Sequence, residues 1–376
     1  MKSVKVIRWV FALLFVLMLL TGALVLRDPS LHRQVKNQLK KGYPTKETIA
    51  QIETAVNERY VNNFNLNIFG TWQALLGKKE IRNFEVITDV DGTMYFGNSS
   101  PVVRYETPPI ASTMAIKEMA DSMGIEVLFV QTAFKDSANA IGLEGYDLSA
   151  RPEEADGMLA ALREKGVNVL DLREYPQVQE AFRTDHHWTP RSSFHASALI
   201  AGELLGDDLP EVIASPENYT ELTYPNSMLG SLGIKAGDIY SGRDDFTLLI
   251  PTFPTSLHYE HYIDHKLDGA YSGDFTAAFV DLDLLDNPIY NNKYNACLHG
   301  GYAENCIVNH LAETDQKAML IADSFGRPTA MYLSLYFQEL RYLDPRDGRY
   351  SDSFLAYIEE FRPDVIIIMY NLTIPL

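Results

Sequence analysis

The stretch that decides the fold runs Ala318-Met319-Leu320-Ile321-Ala322-Asp323-Ser324-Phe325-Gly326. Its five apolar residues predict a buried strand, and residues 329–336 that follow it have a helical pattern. In an open parallel sheet, functional groups collect where strands end and helices begin. A serine at such a turn exposes its hydroxyl and has backbone N–H groups nearby that could stabilise an oxyanion. Alternatively, Asp323 or Ser324 only caps the helix.

Similar strands and helices alternate along the chain. Buried strands are predicted at residues 126–130, 167–170 and 364–369. The β-branched run of the last strand suits a sheet that is covered on both faces. Helical patterns occupy residues 108–123, 153–165, 192–205 and 350–361. This alternation predicts an α/β domain in which helices sandwich a mostly parallel sheet. Residues 215–290 are rich in Pro, Gly, Tyr and Asp and predict a β-rich insertion.

An uninterrupted apolar segment, residues 9–26, follows Lys2, Lys5 and Arg8. At a helical rise of about 1.5 Å per residue it spans roughly 27 Å, enough to cross a bilayer core. The basic residues favour a cytoplasmic location for residues 1–8 and export of the rest. We therefore predict an uncleaved transmembrane anchor, with a cleaved signal peptide as the alternative.

The remaining organisation follows from this anchor. Residues 27–75 are polar and helix-prone and predict a membrane-proximal stalk, and residues 76–376 form the α/β domain. The predicted location is the cell membrane, with a single span and the domain outside the cytoplasm. The chain has 32 Lys+Arg against 50 Asp+Glu, a net charge of -18. Such a charge repels phosphate backbones, so no nucleic-acid partner is expected.

Two cysteines and a group of three histidines are candidates for a disulfide and for a metal site. An exported chain could join its two cysteines, Cys297 and Cys306, in a disulfide, or leave them as free thiols. Two thiols supply only half of a structural zinc site. His258, His261 and His265 could bind a metal, but their alternation with tyrosines also suits a surface strand. We expect neither a metal nor a cofactor.

A second motif supplies partners for the serine. Asp185 and His187 are two residues apart, so in an extended segment they face the same side while His186 points away. A serine nucleophile needs an imidazole base and a carboxylate that orients it. The predicted catalytic group is Ser324, His187 and Asp185. Alternatively, the histidines only bond to backbone in a loop.

The oxyanion of such a reaction needs N–H donors. The first would be the backbone N–H of Ser324. Gln131 and Asn371, both at strand ends, are candidates for the second donor, although each could equally be a surface amide.

The run Asp185-His186-His187-Trp188-Thr189-Pro190 resembles the signature of the DHHW family. It is also similar to an element of the periplasmic alginate O-acetyltransferases, which pair it with a later Asp-Ser-(Phe/Tyr)-Gly turn like residues 323–326. Weaker similarities lie at residues 230–233, 298–302, 339–342 and 370–371. The resemblance implies an SGNH-hydrolase-like fold in which the serine comes last. It adds Phe325, Trp188 and Arg341 as candidates for oxyanion or substrate contacts.

The resemblance also implies a function. It suggests an extracytoplasmic O-acyltransferase, specifically for acetyl, that modifies an exported polysaccharide or cell-wall glycan through an acyl-serine intermediate. A multi-pass membrane O-acyltransferase would supply the acyl groups. Two alternatives keep the same fold: a carbohydrate esterase with the same triad, and a non-catalytic polysaccharide-binding scaffold.

A competing motif lies at residues 89–93. Asp89-Val90-Asp91-Gly92-Thr93 resembles the start of haloacid-dehalogenase-type phosphatases, in which the first Asp attacks phosphate with Mg²⁺ bound. Such an enzyme also needs a later acidic pair, for which Asp244-Asp245 is available. The structural alternative is an Asp-Gly turn that joins two hairpin strands, with residues 94–96 on the return.

Overall fold

The computed structural model describes residues 63–82, 84–97, 110–133, 135, 152–286, 289, 291–345 and 353–371, and isolated helical positions at 9, 12, 13, 16 and 36. Most of the predicted anchor, residues 9–26, and of the predicted stalk up to residue 62 lies outside these residues. Within the described ranges, no helix combines the length and the apolar composition that a membrane span requires.

The chain divides into two compact units. The first consists of residues 1–78 and 236–240, and its described part contains helix α1 (Asn63–Leu75). Tyr240 donates a hydrogen bond from its hydroxyl to the carbonyl of Lys78 at 2.8 Å. Gly70 lies so close to the carbonyl of Ala236 that a Cβ there would overlap it. Glycine therefore permits the close packing of this helix within its unit.

The second unit, residues 79–235 and 241–376, contains all the described strands. They are β1 (Glu80–Ile81), β2 (Val86–Thr88), β3 (Met94–Phe96), β4 (Glu126–Gln131), β5 (Asn168–Asp171), β6 (Tyr219–Met228), β7 (Asp244–Pro251), β8 (Leu257–Ile263), β9 (Lys266–Gly273), β10 (Glu304–Asn309), β11 (Lys317–Ala322), β12 (Glu339–Leu343) and β13 (Val365–Tyr370). Eight of them form one sheet in the order β5-β4-β13-β11-β12-β10-β8-β9. The first five pair in parallel, and the last three join antiparallel. The sheet is therefore mixed, with the predicted parallel arrangement confined to five strands.

Helices cover both faces of this sheet. The described helices after α1 are α2 (Ile110–Met123), α3 (Pro152–Glu164), α4 (Pro190–Leu205), α5 (Glu211–Ala214), α6 (Ser231–Ala236), α7 (Asp238–Ser241), α8 (Phe275–Phe279), α9 (Leu282–Asp286), α10 (Gly326–Leu333) and α11 (Phe354–Phe361). Alternate residues of β13 enter opposite cores: Ile367 packs with α4 and α10, and Ile366 packs with α2, α3 and α11. A strand that is apolar at every position is required when both faces are covered.

The segment predicted as a β-rich insertion contributes to two sheets. Strands β6 and β7 form a separate antiparallel pair, whereas β8 and β9 extend the main sheet beyond β10. Strands β1, β2 and β3 form a third, antiparallel sheet. Residues 89–93 make the turn between β2 and β3, as the hairpin interpretation of the Asp-Gly motif predicts. They do not follow a parallel strand of the main sheet, where a phosphatase nucleophile would lie.

The disulfide between Cys297 and Cys306 is absent, because both thiols are free and buried. Cys306 pairs with Arg341 across the sheet and accepts a hydrogen bond from its guanidinium at 2.6 Å. Its neighbour Ile307 points to the opposite face, into the core that contains Cys297. The sheet thus separates the two sulfurs, and two cysteines on opposite faces cannot be bridged.

Candidate active site

Ser324 lies in the turn between β11 and α10. The Asp323 carboxylate accepts the N–H of Phe325 at 2.8 Å, and the Asp323 carbonyl accepts the N–H of Gly326 at 2.9 Å. Tyr342 donates its hydroxyl to the same carbonyl at 2.7 Å. A Cβ on Gly326 would lie 2.9 Å from the ring of Tyr342, so the turn needs glycine there. These contacts fix the backbone that presents the serine hydroxyl.

Asp185 and His187 belong to a short loop closed by a bridge between Ala181 and Trp188. Residues 183–187 bend continuously instead of extending as predicted. The bend lets the Asp185 carboxylate accept the backbone N–H of His187 at 3.0 Å and face the His187 Nδ1 at 2.6 Å. Local turning, and not strand alternation, brings the acid to the histidine.

The structure brings the three predicted residues together in one line of hydrogen bonds. The Nδ1 of His187 lies 2.6 Å from the Asp185 carboxylate, and its Nε2 lies 2.6 Å from the Ser324 hydroxyl oxygen. All three side chains are buried. With the carboxylate ionised, Nδ1 carries the proton and Nε2 is left to accept the serine proton. This is the arrangement of a serine nucleophile with its base and its orienting acid.

Asp185 stays ionised in spite of its burial. Burial opposes the charge, but His186 and His187, together with hydrogen bonds from His187 and the backbone N–H of Ser231, hold the pKa of Asp185 well below its usual range. Ser231 donates that N–H to the second carboxylate oxygen at 2.6 Å. A carboxylate that accepts several hydrogen bonds is stabilised in its charged form.

The loop is anchored by two other segments. The Asp244 carboxylate accepts the N–H of Arg183 at 3.0 Å and the N–H of Thr184 at 2.8 Å. The carbonyl of Thr184 accepts the N–H of Gly233 at 2.8 Å, and its hydroxyl accepts the N–H of Gly230 at 2.9 Å. Asp244 therefore holds the active-site loop instead of belonging to a phosphatase site.

We expect Gly230→Ala to lower kcat/KM for an acetate ester roughly 100-fold, because a misplacement of about 1 Å near catalytic groups has that effect. A Cβ at this position would lie 2.6 Å from the carbonyl oxygen of Thr184 and would overlap the Cβ of Asp185. Gly157→Ala is the matched control, since a Cβ there meets nothing within 4 Å. Equal activity of both variants, with unchanged circular dichroism, would refute the role of this contact.

Residues 94–233 match the family model described as SGNH hydrolase-like domain, acetyltransferase AlgX. The predicted resemblance is confirmed. The matched segment includes Asp185, His187 and Gly230, and Ser324 lies beyond it. No curated protein sequence matches the chain.

Two solved structures are similar to this chain. A DHHW family protein from Eubacterium siraeum has a TM-score of 0.57 and 18% sequence identity, over 77% of this chain and 92% of that chain. Bacillus cereus PatB1 with a sulfonyl adduct has a TM-score of 0.59 and 17% identity, over 78% of this chain and 96% of that chain. At these identities the likeness concerns the fold.

The His187 ring lies against two other aromatic rings. Tyr294 stacks on it with centroids 4.0 Å apart and planes inclined by 16°, and the guanidinium of Arg327 lies 5.6 Å from the Tyr294 centroid. The ring of His186 also contacts the His187 ring, with centroids 3.8 Å apart. The Nδ1 of His186 lies 3.0 Å from the Ser231 hydroxyl oxygen. The prediction that His186 points away is wrong, because the loop bends. Tyr294 carries no motif in the sequence that marks it as a neighbour of His187.

The other candidates from the sequence have different positions. Phe325 contacts His187 at 5.1 Å between centroids, and the buried Trp188 packs edge-on against Phe325 at 5.4 Å. The backbone N–H of Phe325 is bonded to Asp323, and Trp188 supports the site from within the core.

Gln131 donates its amide to the carbonyls of Thr132 at 3.0 Å and Tyr370 at 3.2 Å. Its amide hydrogens thus fix strand ends.

Asn371 and Arg341 lie at different heights along the sheet. Asn371 follows β13, whose Met369 pairs with Ala322, so it is level with Ser324 at the carboxyl edge. Arg341 pairs with Met319, five residues before Ser324, which corresponds to roughly 16 Å along a strand. Its guanidinium bonds to Glu339 and Cys306 beside a cavity of about 510 Å³. The structure therefore does not bring Arg341 to the triad.

Among the described residues, one group of side chains has donor atoms close enough together that they could hold a metal ion. Asp185, His186 and His187 have donor atoms within 4.8 Å of one another, but these atoms bond to each other, to Ser324 and to Ser231. The three histidines of the β8 region are dispersed. His258 bonds to Ser272 and Glu260, His261 is buried 3.5 Å from Asp268, and His265 lies 3.9 Å from Glu304. The interpretation of β8 as a surface strand is therefore wrong for His261.

Proposed function

We propose that this protein is an extracytoplasmic O-acetyltransferase that modifies an exported polysaccharide or cell-wall glycan through an acyl-Ser324 intermediate. The observation that carries the proposal is the pair of 2.6 Å contacts that join Asp185, His187 and Ser324. The match to a family model described by its acetyltransferase supports the reaction type.

The first half-reaction loads the serine. The Ser324 oxygen attacks the acyl carbonyl while its proton passes to the Nε2 of His187. Asp185 stabilises the imidazolium that forms and keeps its ring oriented. The imidazolium then gives the proton to the leaving group of the acyl donor. The backbone N–H of Ser324 is the proposed first donor to the oxyanion.

The second half-reaction unloads the acyl group. A glycan hydroxyl attacks the acyl-serine, and His187 takes the proton from that hydroxyl and returns it to the Ser324 oxygen. Water can replace the hydroxyl in the same geometry, which gives the esterase alternative. Whether the acyl group is transferred to a glycan or to water depends on how well the acceptor excludes water from the buried serine.

The proposed location and partners follow from the N-terminal sequence. Lys2, Lys5 and Arg8 before the apolar residues 9–26 support an anchor with the domain outside the cytoplasm. A multi-pass membrane O-acyltransferase is the proposed source of acyl groups, because acetyl donors have to cross the bilayer before they reach the domain.

The haloacid-dehalogenase-type alternative has little support from its motif. One carboxylate oxygen of Asp89 accepts the N–H groups of Asp91 and Thr93 at 3.1 Å, and the other accepts the Tyr95 hydroxyl at 3.3 Å. Burial, followed by the hydrogen bond to Asp91, raises the pKa of Asp89. These contacts stabilise a hairpin turn.

We expect the purified full-length protein to transfer acetyl from a chromogenic ester to an oligosaccharide, with acetyl on the Ser324 peptide in mass spectra of rapidly quenched samples. Asp89→Asn is the matched control and should retain transfer. Acetyl release only to water would favour the esterase. Phosphate-ester hydrolysis that requires Mg²⁺ and Asp89 would contradict the proposal, and glycan binding without any turnover would favour the scaffold.

A further inference from the structure

A lysine outside the triad lies under the loop that carries the catalytic acid. The ammonium of Lys135 donates to the carbonyl of Met94 at 2.6 Å, to that of Asp185 at 2.7 Å and to that of Arg183 at 2.9 Å. A protonated lysine has three N–H donors and no acceptor. Each donor therefore has a carbonyl partner, and two of the three carbonyls belong to the active-site loop.

These bonds join two structural elements. Met94 is the first residue of β3, and its backbone N–H donates to the carbonyl of Arg183 at 2.9 Å. Lys135 reinforces that connection and extends it to Asp185. The Asp185 carboxylate is held by Ser231 and its own carbonyl by Lys135, so side chain and backbone of the acid have separate anchors.

We propose that Lys135 is a positioning residue, whose protonated amine holds the backbone of Asp185 so that its carboxylate meets His187, and whose deprotonation weakens this hold at alkaline pH. The inference rests on the proposed function for its effect on turnover. Its effect on the hydrogen bond between Asp185 and His187 is independent of that function.

The surroundings of Lys135 place its proton loss near neutrality. Desolvation of the ammonium lowers the pKa of Lys135 to about 7, against the attraction of Asp185, Asp244, Asp89 and Asp91. The Tyr95 ring also faces the ammonium, at 5.4 Å. A neutral amine keeps two donors and turns a lone pair towards the third carbonyl, so one anchor becomes repulsive.

Loss of this proton does not lower the contribution of Lys135 to the free energy of unfolding. The pKa of Lys135 is lower in the folded protein than its ordinary value of 10.5, so the unfolded chain binds the proton more tightly. The contribution of this group to the free energy of unfolding consequently rises as pH increases from about 7 to 10.5. The alkaline effect is therefore local to the loop.

The test compares the full-length wild type with Lys135→Met, which keeps the stem and removes the donors, and Lys135→Arg, which stays charged at high pH. Lys117→Met is the matched control, because Lys117 pairs with Asp121 on the exposed side of α2. We would measure kcat and KM for an acetate ester from about pH 5.5 to about pH 9, and the proton NMR signal of the His187 Nδ1–H.

We expect Lys135→Met to lower kcat about 10- to 100-fold with a smaller change in KM, and to lose the Nδ1–H signal. In the wild type, kcat and the signal should both decline above about pH 7. Lys135→Arg should move that decline upward by at least about one pH unit. Lys117→Met should behave like the wild type.

Unchanged kcat and an unchanged signal in Lys135→Met would overturn the inference. If that variant does not fold, a wild-type signal that is constant to about pH 9, or an unshifted profile in Lys135→Arg, would overturn it. A signal that depends on Lys135 in a protein without ester turnover would uphold the positioning role and contradict the proposed function.

Discussion

Ser324→Ala is expected to lower kcat/KM for an acetate ester by about 10³-fold or more, the loss typical of a nucleophile in a triad. The substitution removes the oxygen that lies 2.6 Å from the His187 Nε2 and leaves the imidazole without its reacting partner. Steady-state kinetics with the chromogenic ester would measure the loss. Ser334→Ala is the matched control, because Ser334 is equally buried but donates its hydroxyl to the carbonyl of Met331.

A covalent probe can test whether Ser324 is the nucleophile without measuring turnover. A sulfonyl fluoride, which reacts with an activated serine hydroxyl, should label this protein on the peptide that contains Ser324, and Ser324→Ala should remain unlabelled. Labelling of another serine, or ester turnover that survives in the alanine variant, would exclude Ser324 as the nucleophile.

Asp185→Asn is expected to lower kcat by about 10⁴-fold with little change in shape, because an amide stabilises the wrong tautomer of the histidine. The Nε2 of His187 would then carry a proton and could not accept one from Ser324. Kinetics of the ester reaction would measure the change. Asp121→Asn on the exposed side of α2 is the control.

The same substitution has a pH-dependent effect on stability. The pKa of Asp185 lies well below its ordinary value of 3.8, so its charge stabilises the folded state above about pH 3.8. This contribution is lost as pH falls through the folded-state pKa. The charge-dependent part of the destabilisation by Asp185→Asn should therefore be complete at neutral pH and shrink in acid. Denaturant unfolding of the wild type and of Asp185→Asn, at neutral pH and below about pH 3.8, would check this prediction. If the two proteins differed in the free energy of unfolding by the same amount at both pH values, the ionised state of Asp185 would be contradicted.

Hydrophobic periodicity in the sequence predicted the helices and strands whose burial follows a regular pattern along the element. Strand β13 is apolar at every position because both of its faces are covered, and helix α2 has one buried stripe against the sheet. The hydrogen-bonded grouping of Ser324, His187 and Asp185 could also be predicted, because a serine nucleophile limits the residue types that can assist it. These features depend on local patterns or on chemical necessity.

Other features depend on contacts that a local pattern does not encode. In the antiparallel edge, β8 and β9 form a local hairpin, but the pairing of β10 with β8 and β12 joins segments that are distant along the chain. The stacking of Tyr294 on His187 joins residues more than 100 positions apart and uses a residue type that is common in cores. Spacing along the chain left a disulfide and two free thiols as alternatives for Cys297 and Cys306, because it says nothing about the face of a sheet on which each residue lies.

The two contacts of the triad differ in how far apart their partners lie along the chain. Asp185 and His187 are two positions apart within one loop, whereas Ser324 lies 137 positions beyond His187. Any displacement of the loop as a unit would therefore change the separation of the Ser324 oxygen and the His187 Nε2, and would leave the contact between Asp185 and His187 intact.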